Sequence, residues 1–164
     1  FETEPGEGTA FTLYFPAAPH GAPETEEPSG PGAAPPGKGE TVLLVEDEDA
    51  VRGLASRVLE KAGYSVLEAA DGHEALRILD QHGEPIHLLL TDVVMPGNNG
   101  WAMADRLRKI QPDLRVIFTS GYTGDLIRHH GVLEEDIDFL PKPYTPGALA
   151  QRVRTALDQP SDSG

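Results

Sequence analysis

A chain of 164 residues and 17.6 kDa holds about one compact core, which argues against a multi-domain enzyme. Cysteine is absent, so a disulfide framework, a thiolate metal cluster and a cysteine nucleophile are excluded as well. With 13 Lys+Arg against 27 Asp+Glu the net charge is -14, which repels a phosphate backbone and argues against direct nucleic-acid binding.

In chain order, Phe11-Thr12-Leu13-Tyr14-Phe15 alternates large apolar with smaller residues and stops at Pro16, which predicts a strand. Gly6-Glu7-Gly8 before it is half of a phosphate fingerprint and precedes a strand rather than a helix, so it reads as a turn. Ala17 to Glu40 contains six Pro, five Gly and five Ala, and no Val, Ile, Leu, Met or aromatic residue. Such a stretch cannot build a core and predicts a mobile, partly extended linker over 17–40.

Beyond it, short apolar runs alternate with amphipathic segments. Thr41 to Val45 reads as a strand; Val51, Leu54, Ala55, Val58, Leu59 and Ala62 follow at helical spacing and Gly63 closes the helix. The alternation recurs as strand Tyr64–Leu67, helix Gly72–Gln81, strand Ile86–Leu90, helix Trp101–Ile110, strand Leu114–Phe118, a short helix near Asp125–His130, strand Ile137–Leu140 and helix Pro146–Leu157. Five strands alternating with five helices predict an α/β fold whose parallel sheet is covered on both faces. The longest apolar runs, Val42 to Val45 and Leu88 to Leu90, fall far short of the roughly 18 residues of a membrane helix, and the start at Phe1 has no basic or apolar signal character. Neither membrane contact nor export is therefore expected of this segment.

In an open parallel sheet, function gathers at the carboxyl ends of the strands. Here those ends are Glu46-Asp47, Thr91-Asp92, Thr119-Ser120 and Pro141-Lys142-Pro143. If the strand order is 2-1-3-4-5, the first and third strands are neighbours and three carboxylates converge beside a hydroxyl and an ammonium. An all-oxygen cluster of this kind repels itself unless neutralised, and suits Mg²⁺.

Residues 41–158 resemble the receiver domain of two-component response regulators. The resemblance rests on Glu46-Asp47, the run Asp92-Val93-Val94-Met95-Pro96-Gly97, Asp71-Gly72-His73-Glu74-Ala75-Leu76, Ser120-Gly121-Tyr122 and Phe139-Leu140-Pro141-Lys142-Pro143. It implies a flavodoxin-like, doubly wound five-stranded sheet in the order 2-1-3-4-5. It further implies Asp92 as phosphoacceptor, Mg²⁺ (or Mn²⁺) held by Glu46, Asp47, Asp92 and the Val94 backbone carbonyl, Ser120 and Lys142 on the phosphoryl oxygens, and Phe139 as a switch residue. Lys142-Pro143 resembles the family's cis peptide. Glu46, Ser120 and Phe139 stand where many members have Asp, Thr and Tyr; only the last replacement loses a functional group, the phenolic hydroxyl.

Residues 4–16 resemble the final strand of a histidine kinase ATP-binding domain. Together the two resemblances imply a hybrid sensor histidine kinase: a kinase remnant over 1–16, a linker over 17–40, a receiver over 41–158 and a tail over 159–164. The implied partner is a phosphohistidine-bearing kinase or phosphotransfer domain, the implied location cytoplasmic, with membrane anchoring of the parent protein left open, and the only catalysis that of the chain's own Asp phosphorylation and dephosphorylation. A haloacid-dehalogenase-like phosphatase also uses a strand-end Asp and Mg²⁺, but wants a second Asp where Val94 stands. A pseudo-receiver that only binds partners is the other alternative, against which Asp47, Asp92, Ser120 and Lys142 all being present counts.

Other conspicuous residues have plainer readings. Asp71-Gly72-His73-Glu74 reads as a solvated first helical turn, His82 and His129-His130 as surface residues without metal spacing, and Trp101 and Met103 as helix packing. Glu134-Glu135-Asp136-Asp138 reads as a solvated loop, and Glu48 and Asp49 as anionic residues at a helix N-terminus.

Overall fold

A computed structural model of the chain describes residues 2–4, 8–10, 35–95, 98–121 and 138–159. The chain divides into two compact units, Phe1–Pro31 and Gly32–Gly164. In the first, β1 (Glu2–Glu4) and β2 (Gly8–Ala10) pair antiparallel, with Thr3 opposite Thr9. Gly8, read above as part of a turn, opens the second of these strands. The strand expected over Phe11–Phe15 lies outside the described residues.

The second unit is built on five parallel strands, because its apolar runs are buried on both sides and have no water-facing edge to alternate. These are β3 (Thr41–Val45), β4 (Ser65–Ala69), β5 (Leu88–Asp92), β8 (Arg115–Ser120) and β9 (Asp138–Pro141), in the spatial order β4-β3-β5-β8-β9. That is the 2-1-3-4-5 order, a flavodoxin-like sheet. Side chains alternate across it: Leu43, Val45, Leu89, Val116 and Phe118 face one layer, and Val42, Leu44, Leu88, Leu90 and Ile117 the other. Helices α2 (Gly72–His82) and α3 (Gly100–Ile110) bring Ala75, Met103, Ala104 and Leu107 to the first layer. Helices α1 (Asp49–Lys61) and α4 (Pro146–Asp158) bring Ala55, Leu59, Leu149 and Val153 to the second. Burying each such Leu or Val stabilises the fold by about 1.5–3 kcal/mol.

Local signals fix the helix ends. Asp71 caps α2, its carboxylate accepting the His73 and Glu74 amides at 2.8 Å, while Glu74 accepts the Ala70 amide at 3.0 Å. The helix ends at Gly83, whose φ of +72° only glycine adopts without strain. Thr145 caps α4 through the Ala148 amide, with Pro146 at the first helical position.

Several expectations need correcting. Strands β4, β5 and β8 run two residues beyond their expected ends, into Ala69, Asp92 and Ser120, because backbone pairing continues after the apolar run stops. A small antiparallel hairpin, β6 (Val94–Met95) with β7 (Asn98–Asn99), precedes α3. His82 is half-buried and its Nε2 is shut off from solvent without a partner. Asp138 begins β9 and pairs with Arg152 at 2.8 Å rather than sitting in a solvated loop. The helix expected near Asp125–His130 lies outside the described residues.

The end of the linker region is tied down. The Gly37 amide donates to the Ala62 carbonyl at 2.6 Å, and Glu40 pairs with Arg154 at 2.7 Å. Arg154 also meets Asp158 through two bonds of 2.9 Å and is itself only 5% exposed.

Candidate functional site

The site forms where three strands end together. Val45 is aligned with Thr91 in the β3–β5 pairing, so the next residues along the chain, Glu46 just past β3 and Asp92 at the end of β5, stand side by side. The far strand supplies the counter-charge. β9 ends at Pro141, the Lys142 amide donates to the Ser120 carbonyl at 2.9 Å, and the cis Lys142–Pro143 bond follows. From there the Lys142 ammonium donates to Glu46 Oε2 at 2.6 Å and to Asp92 Oδ2 at 2.7 Å.

Asp92 is held from several directions. Its Oδ1 accepts the Val94 amide at 3.1 Å, and its own carbonyl accepts the Thr91 hydroxyl at 3.0 Å. The Val93 amide donates to the Thr119 carbonyl at 2.9 Å and the Val93 carbonyl accepts the Gly100 amide at 3.1 Å. The end of β5 is thus locked to β8 on one side and to the start of α3 on the other.

Charge and burial set the chemistry. Burial pushes the Glu46 carboxyl above its usual range, with Asp92's charge adding to the rise and the Lys142 hydrogen bond opposing it. For Lys142, burial works against the charged form, but the hydrogen bonds to Asp92 and Glu46 outweigh it and hold the ammonium protonated above its ordinary value. Asp47 follows Glu46 at an exposed position. Three carboxylates against one ammonium leave two negative charges in this corner.

Among the described residues, no group of three or more His, Asp or Glu side chains is arranged to hold a metal ion. Of the four expected ligands, Glu46 and Asp92 are brought together on Lys142, while Asp47 is exposed at the position after Glu46 and Val94 is 54% exposed. The donor set nevertheless fits a hard divalent cation, being all oxygen and two charges short of neutrality. Ser120 is buried at the end of β8, aligned with Pro141, and Phe139 is half-buried and aligned with Phe118. Neither the Thr91 hydroxyl nor Gly100 announces itself in the sequence, since a Thr inside an apolar strand and a Gly before a helix have everyday structural readings. Arg52 was equally silent: it donates to the Glu46 carbonyl at 2.6 Å and to Asp49 at 2.5 Å.

Beside Lys142 an apolar groove of about 660 Å³ runs along α1 and the start of α4, lined by Val51, Leu54, Val58, Pro143, Tyr144 and Leu149. Leu54, at 63% exposed, stands open on its wall.

The family model described as the response regulator receiver domain matches residues 42–154. Sensor kinase CckA of Brucella abortus (strain 2308) is 38% identical over an alignment that takes in 96% of this chain and 17% of that protein. The chain therefore spans about a sixth of that relative's length. The response regulator receiver protein CpdR of the same organism is 37% identical over 71% of this chain and 95% of its own. Among solved structures, the receiver domain of hybrid histidine kinase CckA matches with a TM-score of 0.61 and 43% identity, covering 72% of this chain and 99% of that one. A receiver domain protein from Clostridium thermocellum matches with a TM-score of 0.64 and 29% identity over 73% of this chain and 94% of that one.

Proposed function

The chain belongs to the response regulator receiver domain family, and on that premise we propose that Asp92 accepts a phosphoryl group from a phosphohistidine. The observation that carries this reading is the clamp on the Asp92 carboxylate, one oxygen on the Val94 amide and the other on the Lys142 ammonium. A carboxylate so fixed presents an oxygen lone pair in one direction, which is the positioning that phosphoryl transfer requires. Its oxygen forms the new bond to phosphorus as the bond to the donor imidazole nitrogen breaks, and the imidazole departs with the electron pair. Lys142 then has a choice of anions, since the incoming phosphoryl oxygens compete with Glu46 for the ammonium. Ser120 stands next to Lys142's backbone anchor, where its hydroxyl serves a second phosphoryl oxygen.

Receiver domains generally depend on Mg²⁺. Here Asp47, Asp92 and the Val94 carbonyl would hold it, with Glu46 alongside. When bound, the cation supplies neutralisation of the charge that develops on the phosphoryl oxygens. The receiver region 41–158, the preceding linker and the 1–16 remnant are assigned to a hybrid sensor kinase. The alignment with Sensor kinase CckA supports this by running through nearly the whole chain, upstream segment included. The partner is then a phosphohistidine-bearing kinase or phosphotransfer domain, and the apolar groove next to Lys142 is a surface on which its helix can rest. No helix among the described residues is long and apolar enough to cross a membrane. The proposed location is cytoplasmic.

The test is incubation with Mg²⁺ and phosphoramidate followed by intact-mass measurement. One added phosphoryl group is expected on the wild type and none on Asp92→Asn. Equal labelling of the variant rejects Asp92 as the acceptor.

A further inference from the structure

Gly100 opens α3, directly over the strand end that carries Asp92. Its backbone conformation is an ordinary one, since it is absent from the glycines with positive φ, so left-handed geometry does not explain why glycine stands there. Space does. A Cβ built on Gly100 overlaps the Asp92 carbonyl oxygen, and lies 3.2 Å from the Asp92 carbonyl carbon and 3.3 Å from Val93 Cα. All three neighbours are main-chain atoms, with no flexible side chain to move aside. In contrast, a Cβ on Gly53 or Gly147 meets nothing within 4 Å.

The contact is made at the acceptor peptide itself. The Asp92 carbonyl is packed by the Gly100 Cα while it accepts the Thr91 hydroxyl, and the Gly100 amide donates to Val93 one residue on. The same short run delivers one end of the carboxylate clamp, because the Val94 amide that binds Asp92 Oδ1 belongs to the peptide held by these contacts. Hence we propose that Gly100 is a positioning residue for phosphoryl transfer: its missing side chain lets the first turn of α3 seat on the Asp92 main chain and set the carboxylate between the Val94 amide and Lys142. Any Cβ there pushes the peptide by a distance on the order of 1 Å, a displacement that costs about 100-fold in a transfer that relies on alignment.

This inference rests on Asp92 being the acceptor, and the experiment separates the two. Phosphoramidate labelling with Mg²⁺ is followed by intact mass for wild type, Gly100→Ala, Gly53→Ala and Asp92→Asn, with far-ultraviolet circular dichroism and a urea melt establishing the folded fraction of each. Gly100→Ala is expected to label 10- to 100-fold more slowly per folded molecule, Gly53→Ala at the wild-type rate, and Asp92→Asn not at all. In amide spectra the Val94 proton is expected to move upfield in Gly100→Ala and in Asp92→Asn, since both loosen its bond to the carboxylate, and to stay in place in Gly53→Ala. Labelling of Gly100→Ala within twofold of wild type, or an unmoved Val94 proton, overturns the positioning role while leaving the acceptor intact. A Gly100→Ala chain that does not fold overturns it too, because the glycine then serves the whole fold rather than the acceptor. Unimpaired labelling of Asp92→Asn removes the premise instead.

Discussion

The two ends of the central sheet carry the same ionic stoichiometry with opposite character. At the carboxyl ends of the strands, Lys142 lies between Glu46 and Asp92; at the amino ends, Arg154 lies between Glu40 and Asp158. Each is one cation between two carboxylates. Burial raises both glutamates, yet Glu40 ends below its usual range, because the hydrogen bonds from Arg154 and the backbone amides outweigh the burial, whereas Glu46 ends above it. Arginine's planar fork satisfies Asp158 bidentately and still reaches Glu40, and so closes its cluster. Lysine offers a compact point charge that exchanges partners readily, and the exposed Asp47 beside it leaves its corner anionic. One cluster is finished and serves the fold, while the other is short of positive charge, as the proposed phosphoryl transfer at Asp92 requires.

The comparison breaks most visibly at Arg154. Replacing it by Met leaves Glu40 without its cation at a largely buried site, and a loss of about 3–4 kcal/mol is expected in a urea melt, with phosphoryl incorporation per folded molecule unchanged. Lys142→Met strikes the reaction instead: incorporation from phosphoramidate per folded molecule falls about 100-fold, as for the loss of a key electrostatic donor. Equal incorporation per folded molecule in the two variants would erase the distinction.

A finer test uses pH. Glu40 has a folded pKa below its ordinary 4.5, so its contribution to stability is full above that value and fades as the pH falls below it. Glu46 has a folded pKa above 4.5, so its charged form costs stability at neutral pH, and the cost is relieved as the pH falls through the raised value toward 4.5. Glu40→Gln is thus expected to destabilise by about 1 kcal/mol at pH 7, an effect that shrinks below pH 4.5. Glu46→Gln is expected to be neutral or stabilising at pH 7, by up to about 1 kcal/mol, with the gain shrinking on acidification. Parallel pH dependences for the two variants contradict the assignment of opposite roles.

Much of this was legible in the sequence, for reasons that differ by element. Strands such as Val42 to Val45 and Leu88 to Leu90 are read easily because burial on both faces forces unbroken apolar runs. Asp92 and Lys142 are read from the same logic, as charges that end such runs. The β6–β7 hairpin was hidden because two-residue strands are shorter than any period. The β1–β2 pairing was hidden because Glu2–Glu4 and Gly8–Ala10 have no apolar face to alternate. The Glu40–Arg154 pair joins residues 114 positions apart, and nothing in the composition of a Pro/Gly-rich stretch marks its last acid as an anchor. Gly100 was hidden in another way: its function is an absence of atoms, which shows only when the neighbour it admits is seen.

Trp101 is the only tryptophan in the chain, and its ring stacks on Phe118 with centroids 3.7 Å apart and planes 30° from parallel. Phe118 lies two residues before Ser120 on β8, and Trp101 follows Gly100 in α3. The indole therefore bridges the two elements that grip the end of β5, and its emission reads that grip without any added label. Cation binding or phosphorylation that shifts β8 against α3 alters the overlap of the two rings, and appears as a change in intensity or wavelength from a single known position.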